Sequence, residues 1–309
     1  MTRAMILAAG LGTRLRPLTE VCAKPALPVC GVPVIAYLLD FLKHHGVTEV
    51  IINLHYLPET VRAAVANFGP SGIQVSFIEE AEPLGTGGGI RKARAFLEQS
   101  DPFVVLAGDM LLDLDLNALV SRHQEHGDLA TLVLREDSRV DQFGSIGIAK
   151  GGAVRRIANR FDLGHEHDKG LFTGVRVFSP EVFEAIPDRE VFEDLSDWLT
   201  PMLEAGDQRI RGELYSEAAC TWEPVGTPSE YLRANFEPPP LSFIDQAEYC
   251  ARHGVQIVDN VILGPRARVA SGAQLDHCIV FEDEVVPADA RARNTAFADG
   301  QAVALKDNE

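Results

Sequence analysis

From its start to about residue 135 the chain alternates short apolar runs with amphipathic stretches of helical period, and this alternation narrows the possible folds more than any other feature. Residues 4–9, 50–54, 73–78, 103–107 and 129–134 read as buried strands. Residues 33–45, 58–68, 89–99 and 116–126 read as the helices between them. In the first of these, Val34, Leu38, Phe41 and Leu42 recur at helical spacing, Pro33 suits the first turn and Gly46 suits the stop. Strands separated by helices imply βαβ units, a mostly parallel sheet and a three-layer α/β sandwich. Such a sheet binds its ligands beyond the carboxyl ends of its strands.

Past residue 135 the pattern changes. Residues 144–149, 153–158 and 171–178 are strand-like. Short helices are expected at 180–186 and 195–204, late strands at 212–215 and 220–225, and a last helix at 228–235. The run Glu237-Pro238-Pro239-Pro240 is a stiff spacer. Beyond it Ile257, Leu263, Val269, Leu275 and Phe281 fall every six residues, and so do Val261, Ala267, Ala273, Ile279 and Val285. A parallel β-helix has that period, because each of its faces takes about one hexapeptide. The expected division is therefore a main domain over 1–236, a Pro-rich linker over 237–243 and a short left-handed β-helix over 244–309. An open last coil exposes unpaired backbone, so self-association through the tail is expected.

At 309 residues the chain is long enough to bury a large core without disulfide or metal staples. Its formal net charge is −17, a field that repels nucleic acid and anionic membrane surfaces. Any phosphate site must therefore be built locally, from backbone N–H groups and a few cations. No window approaches the roughly 20 apolar residues of a membrane span, and the apolar run before Gly12 is too short for a signal peptide. The five cysteines are scattered and form no C-x-x-C pair, which fits a reducing cytoplasm.

The chemistry-bearing words begin after the first strand. In Leu7-Ala8-Ala9-Gly10-Leu11-Gly12-Thr13-Arg14, Gly10 and Gly12 let backbone amides approach a phosphate, and Arg14 offers a fork donor. The third glycine of G-x-G-x-x-G is replaced by Leu15, and no Gly-Lys-Ser/Thr follows. Lys24-Pro25-Ala26-Leu27-Pro28 comes ten residues later; its prolines hold the segment extended and aim Lys24.

The stretch from Leu7 to Val29 resembles the signature of the sugar-1-phosphate nucleotidyltransferases, in which a glycine-rich loop ending in Arg precedes a Lys-Pro segment. The resemblance extends over roughly residues 3–235. It implies a Rossmann-like nucleotidyltransferase domain and attack of a sugar 1-phosphate on the α-phosphorus of an NTP. It further implies a nucleotide site from Leu7, Ala8, Ala9, Gly10, Gly12, Thr13 and Arg14, completed by Glu80 and by Gly85 and Thr86 of the Pro83–Gly89 base loop. Arg14 and Lys24 would act on the phosphates, and Asp109 of Leu106-Ala107-Gly108-Asp109 would hold Mg²⁺. Phe172-Thr173-Gly174-Val175 is similar to a sugar-pocket strand, so Thr173 and Gly174 are expected at the sugar phosphate.

Two departures stand out. The family's Trp-x-Asp-Val-Gly, whose Asp is a second metal ligand, is Trp222-Glu223-Pro224-Val225-Gly226 here, and Glu223 should point to the opposite face. The usual Glu-Lys-Pro is matched by Asn159-Arg160-Phe161, which leaves Arg160 to contact the sugar phosphate. The base loop and tail most resemble mannose-1-phosphate guanylyltransferases, which favours GTP and mannose 1-phosphate. Uridylyl- or thymidylyltransfer to glucose or amino-sugar phosphates, and a non-catalytic nucleotide-sugar-binding paralogue, are the alternatives.

Overall fold

The structure is a computed structural model describing residues 2–140 and 144–306. The first part of the chain supplies strands β1 (Arg3–Leu7), β2 (Pro28–Val29), β3 (Val32–Pro33), β4 (Glu49–Leu54), β5 (Gln74–Glu79), β6 (Phe103–Ala107), β7 (Met110–Asp113) and β8 (Ala130–Arg135). The middle supplies β9 (Ser145–Ile148), β10 (Val154–Ile157), β11 (Phe161–Asp162), β12 (Asp168–Phe178), β13 (Ile210–Tyr215) and β14 (Thr221–Pro224). Among the described residues the main sheet has ten strands in the order β11-β10-β9-β12-β6-β1-β4-β5, with β8 joining β12 to β13. Its heart is parallel: Arg3 pairs with both Glu49 and Phe103, and β5 runs parallel to β4. β12 then lies antiparallel against β6, so the sheet is mixed.

β1 shows why three layers form. Its residues Ala4, Met5 and Ile6 are all fully buried, yet Ala4 and Ile6 enter the core on one face of the sheet and Met5 the core on the other. Side chains alternate across a strand, so a strand apolar at every position needs cover on both sides. Helix Val34–His44 buries Val34, Leu38, Phe41 and Leu42 against the first core, and truncating one such leucine costs about 2–5 kcal/mol. Helix Leu116–His126 is capped by the Asp115 carboxylate, which accepts from Ala118 N at 2.9 Å, and ends on Gly127 in the left-handed region.

The expected strands and helices of the first half are present within a few residues, with one instructive exception. The helix expected at 89–99 begins at Gly85, runs to Lys92 and is followed by a separate turn, Arg94–Leu97. The glycine run is thus helix, not loop. Its glycines admit close neighbours: a Cβ on Gly87 would lie 2.3 Å from the Phe192 ring, and one on Gly88 2.3 Å from Glu190 O. Likewise the helix expected at 195–204 starts as a π-helical turn, Asp194–Leu199, before helix Thr200–Glu204.

The tail does not hang free. Ser242 N donates to the Asp113 carboxylate at 2.5 Å, within the segment expected as linker. A helix that the sequence pattern did not indicate, Gln246–Arg252, packs on helix Val34–His44: the Tyr37 and Tyr249 rings stand 5.1 Å apart and Tyr249 donates to Asp40 at 2.6 Å. Strands β15 (Gln256–Val258), β16 (Val261–Leu263), β17 (Arg268–Val269), β18 (Gln274–Val280), β19 (Val285–Val286), β20 (Arg291–Ala298) and β21 (Gln301–Ala304) follow. They form a five-stranded sheet, β15-β16-β18-β20-β21, and a parallel pair, β17-β19. Val261 pairs with Cys278 and Cys278 with Thr295, a step of 17 residues per layer. Three hexads make 18, so the six-residue series slips, and Ile257, Val269 and Val285 of that series are 54%, 37% and 65% exposed. No helix among the described residues is long and apolar enough to cross a membrane.

Candidate active site

The carboxyl ends of β1, β4 and β6 open on one cleft of about 390 Å³. Leu7, Ala8, Ala9 and Gly10 form one wall. A Cβ on Gly10 would meet nothing within 4 Å, so the protein itself leaves this backbone bare to the cleft. The wall is anchored from below. Ala8 N donates to Asn53 Oδ1 at 2.8 Å, Asn53 Nδ2 donates to Glu80 Oε1 at 2.7 Å, and Glu80 Oε2 accepts from Leu84 N at 3.0 Å. Glu80 lines the cleft, but both of its oxygens are spent tying the first loop to the helix at Gly85, as a buried carboxylate requires. Gly12 takes a left-handed conformation, and Thr19 Oγ1 donates to its carbonyl at 2.8 Å. That turn presents Thr13 and Arg14 to solvent above the wall, with Arg14 beside Gly226: a Cβ there would lie 3.0 Å from Arg14 Nη2.

Lys24 and Asp109 meet across the cleft. Lys24 sits in the Lys24–Ala26 turn, where Pro25 fixes the backbone, and its Nζ pairs with Asp109 Oδ2. Asp109 follows β6 and stays two-fifths exposed; its Oδ1 has no hydrogen bond among the described residues. β14 pairs antiparallel with β7 beside it, and Val225 N donates to Asp109 O at 2.8 Å. Residue 224, where the resemblance implies a second metal ligand, is a buried proline paired with Met110. Glu223 is turned away as expected: Arg233 Nε donates to its carboxylate at 2.8 Å. Among the described residues no cluster of three His, Cys, Asp or Glu side chains is fit to hold a metal. A hard cation fits the Asp109 site only with substrate oxygens and waters completing its shell.

Gly85 and Thr86 stand at the base of the opposite wall. Thr86 Oγ1 lies 2.7 Å from Glu193 Oε2 and 2.6 Å from Asp194 Oδ1. On the sugar side the expected residues separate. Gly174, with φ of 87°, lines the cleft, and a Cβ on it would approach Ala107 Cβ to 2.9 Å. Thr173 turns its hydroxyl into the sheet, donating to Val133 O at 3.0 Å, while its carbonyl accepts from Trp222 Nε1 at 2.8 Å. Arg160 is exposed on the turn between β10 and β11 and does not line this cleft. Asn53 and Glu193 also line the cleft, and so does Arg176, which had not been singled out. The available signal for Arg176 was a charge inside an otherwise apolar strand.

A bare glycine loop, a lysine and a strand-end aspartate thus meet in one cleft. The chain belongs to the nucleotidyl transferase family, whose model matches residues 3–238, and within it to the sugar-1-phosphate nucleotidyltransferases. It is 27% identical to a UTP–glucose-1-phosphate uridylyltransferase of Synechocystis over 91% of this chain and 83% of that one. It is 29% identical to a mannose-1-phosphate guanylyltransferase of Mycobacterium tuberculosis over 90% of this chain and 79% of that one. The crystal structure of HddC from Yersinia pseudotuberculosis superposes with a TM-score of 0.64 at 26% identity, covering 77% of this chain and 99% of HddC, which has also been solved complexed with GMP-PN.

Proposed function

We propose that the chain transfers a guanylyl group from GTP to mannose 1-phosphate, releasing pyrophosphate. The observation that carries the reaction class is the Lys24–Asp109 pair beneath the bare Gly10 backbone at the ends of β1 and β6. A phosphate oxygen of the sugar 1-phosphate forms the new bond to the α-phosphorus, and the bond to the bridging oxygen breaks with its electron pair leaving on pyrophosphate. The loop from Gly10 to Arg14 holds the triphosphate, and Lys24 neutralises charge at the α-phosphate. Asp109 would hold Mg²⁺, which when bound would supply further charge neutralisation at the phosphates. The cleft favours such an ion: its lining carries Lys24 and Arg176 against Glu80, Asp109 and Glu193, a formal excess of negative charge.

The guanine reading rests on the Pro83–Gly87 segment, on the guanylyltransferase relatives and on HddC's complex with GMP-PN. The uridylyltransferase relative supports the second reading, transfer from UTP to glucose 1-phosphate. We also read the tail as a short left-handed β-helix, supported by its 17-residue parallel steps. Turnover with GTP, UTP, dTTP and ATP against a panel of sugar 1-phosphates decides between the substrates. Preference for another NTP overturns the guanine reading, and no turnover with any pair overturns catalysis.

A further inference from the structure

We propose that Arg176, fixed by Asp194, donates a hydrogen bond to a ring hydroxyl of the sugar 1-phosphate and thereby selects the sugar; this rests on the proposed reaction. The strand that carries it argues for a special role. Leu171, Val175, Val177 and Phe178 of β12 are fully buried apolar residues, and Arg176 among them is 4% exposed. Arginine is almost never buried so deeply unless paired, and a buried pair adds little net stability over apolar side chains of similar volume.

The guanidinium is held in one orientation. Its Nε pairs with Asp194 Oδ2, its Nη1 donates to Gly174 O at 2.9 Å, and its carbon stands 4.8 Å from the centre of the Phe172 ring. The side chain thus lies back along β12 toward the cleft it lines. Asp194 is itself fixed: its Oδ1 meets Thr86 Oγ1 at 2.6 Å, and its N–H donates to that oxygen at 3.0 Å. The remaining group, Nη2, makes no hydrogen bond among the described residues, yet it is not one of the sealed-off unpartnered atoms. It is therefore a donor open to the cleft, in the strand that also presents Gly174.

Charge selects the ligand. Arg176 is already neutralised by Asp194, whereas the phosphates have Lys24 and the Gly10 backbone. What an internally neutral pair with one spare N–H recognises is a neutral acceptor, a hydroxyl oxygen. Loss of one hydrogen bond to a charged group corresponds to roughly 10- to 150-fold.

The test compares kcat/KM for the preferred sugar 1-phosphate with that for its 2-, 3-, 4- and 6-deoxy analogues. In the wild type we expect one position to cost roughly 10- to 150-fold. In Arg176→Lys that penalty should shrink several-fold, with KM for the NTP unchanged. Asp194→Asn, which loosens the guanidinium, should shrink it as well. A wild type indifferent to every deoxy position overturns the proposal, whether or not the variants fold. So does a penalty equal in wild type and Arg176→Lys, or a variant whose defect lies in NTP binding. If no hexose 1-phosphate is turned over at all, the proposed reaction fails first, and the inference fails with it.

Discussion

Replacing Pro224 by aspartate probes the metal site at the residue that departs from the family pattern. Pro224 is buried at the end of β14 opposite Met110, one residue from the Val225 N–H that binds Asp109 O. Proline contributes no N–H, so the exchange removes no ladder bond. To share one magnesium ion with Asp109, whose ligand oxygens would lie about 2 Å from the ion, the new carboxylate must stand about 5 Å from that of Asp109. Two like charges at that distance repel by about 3 kcal/mol at an effective dielectric near 20. Lys24 and the partial exposure of Asp109 offset part of this, leaving about 1–3 kcal/mol. Pro224→Asp should therefore melt roughly 1–5 °C lower than wild type in EDTA. Magnesium turns the repulsion into shared coordination. The same energy recovered on the ion lowers the half-saturating Mg²⁺ for pyrophosphate release about ten- to hundredfold. The assays are thermal melts with and without magnesium and steady-state rates across a magnesium titration. A variant whose melting temperature and magnesium dependence both match the wild type would refute the placement of the ion at Asp109. An inactive wild type rescued by Pro224→Asp would instead make Pro224 the cause of a silent site.

Lys24→Ala should slow turnover by roughly 10²–10⁴-fold with an intact circular dichroism spectrum; an unchanged rate removes Lys24 from the chemistry. Arg14 is exposed beside Gly226, so Arg14→Ala should leave stability alone and raise KM for the NTP, and an unaltered NTP dependence counts against it. His123 is buried between the hydroxyls of Thr131 at 2.8 Å and Ser179 at 3.1 Å, and burial pushes its pKa down from 6.5 to about 4. The unfolded chain binds the extra proton between those values, so stability should fall as pH drops from 6.5 toward 4, by roughly 3 kcal/mol in all. Urea midpoints across that window should flatten in His123→Gln; an identical acid limb in the variant refutes the assignment. Exposed Ile257, Val258 and Val285 on the tail lead us to expect a dimer or larger assembly by sedimentation, weakened by Val285→Asp, and a monomer at micromolar concentration contradicts this.

The fold of the first half and the core of the site were legible because their information is contiguous. A strand buried on both faces is apolar at every position, as Ala4, Met5 and Ile6 are, and a loop that meets phosphate must carry its glycines and cations next to one another, as Gly10 to Lys24 do. Local chemistry ran out where residues far apart in sequence meet. The glycines from Gly85 read as a loop, yet they form a helix, and Gly87 and Gly88 in it lie against Phe192 and Glu190, a hundred residues away. Arg160 earned its expected role from its place in the chain, but the turn between β10 and β11 puts it outside the cleft lining. Arg176 and Asp194 are 18 residues apart and become one unit only when β12 and the π-helical turn close on each other. The tail's six-residue period pointed to a parallel β-helix, while the strands of the C-terminal sheet pair in 17-residue steps that the period does not give. Sequence determines which residue types an element carries and with what period. Which of them face each other is decided by packing, since register and close approach are properties of pairs of elements rather than of either one alone.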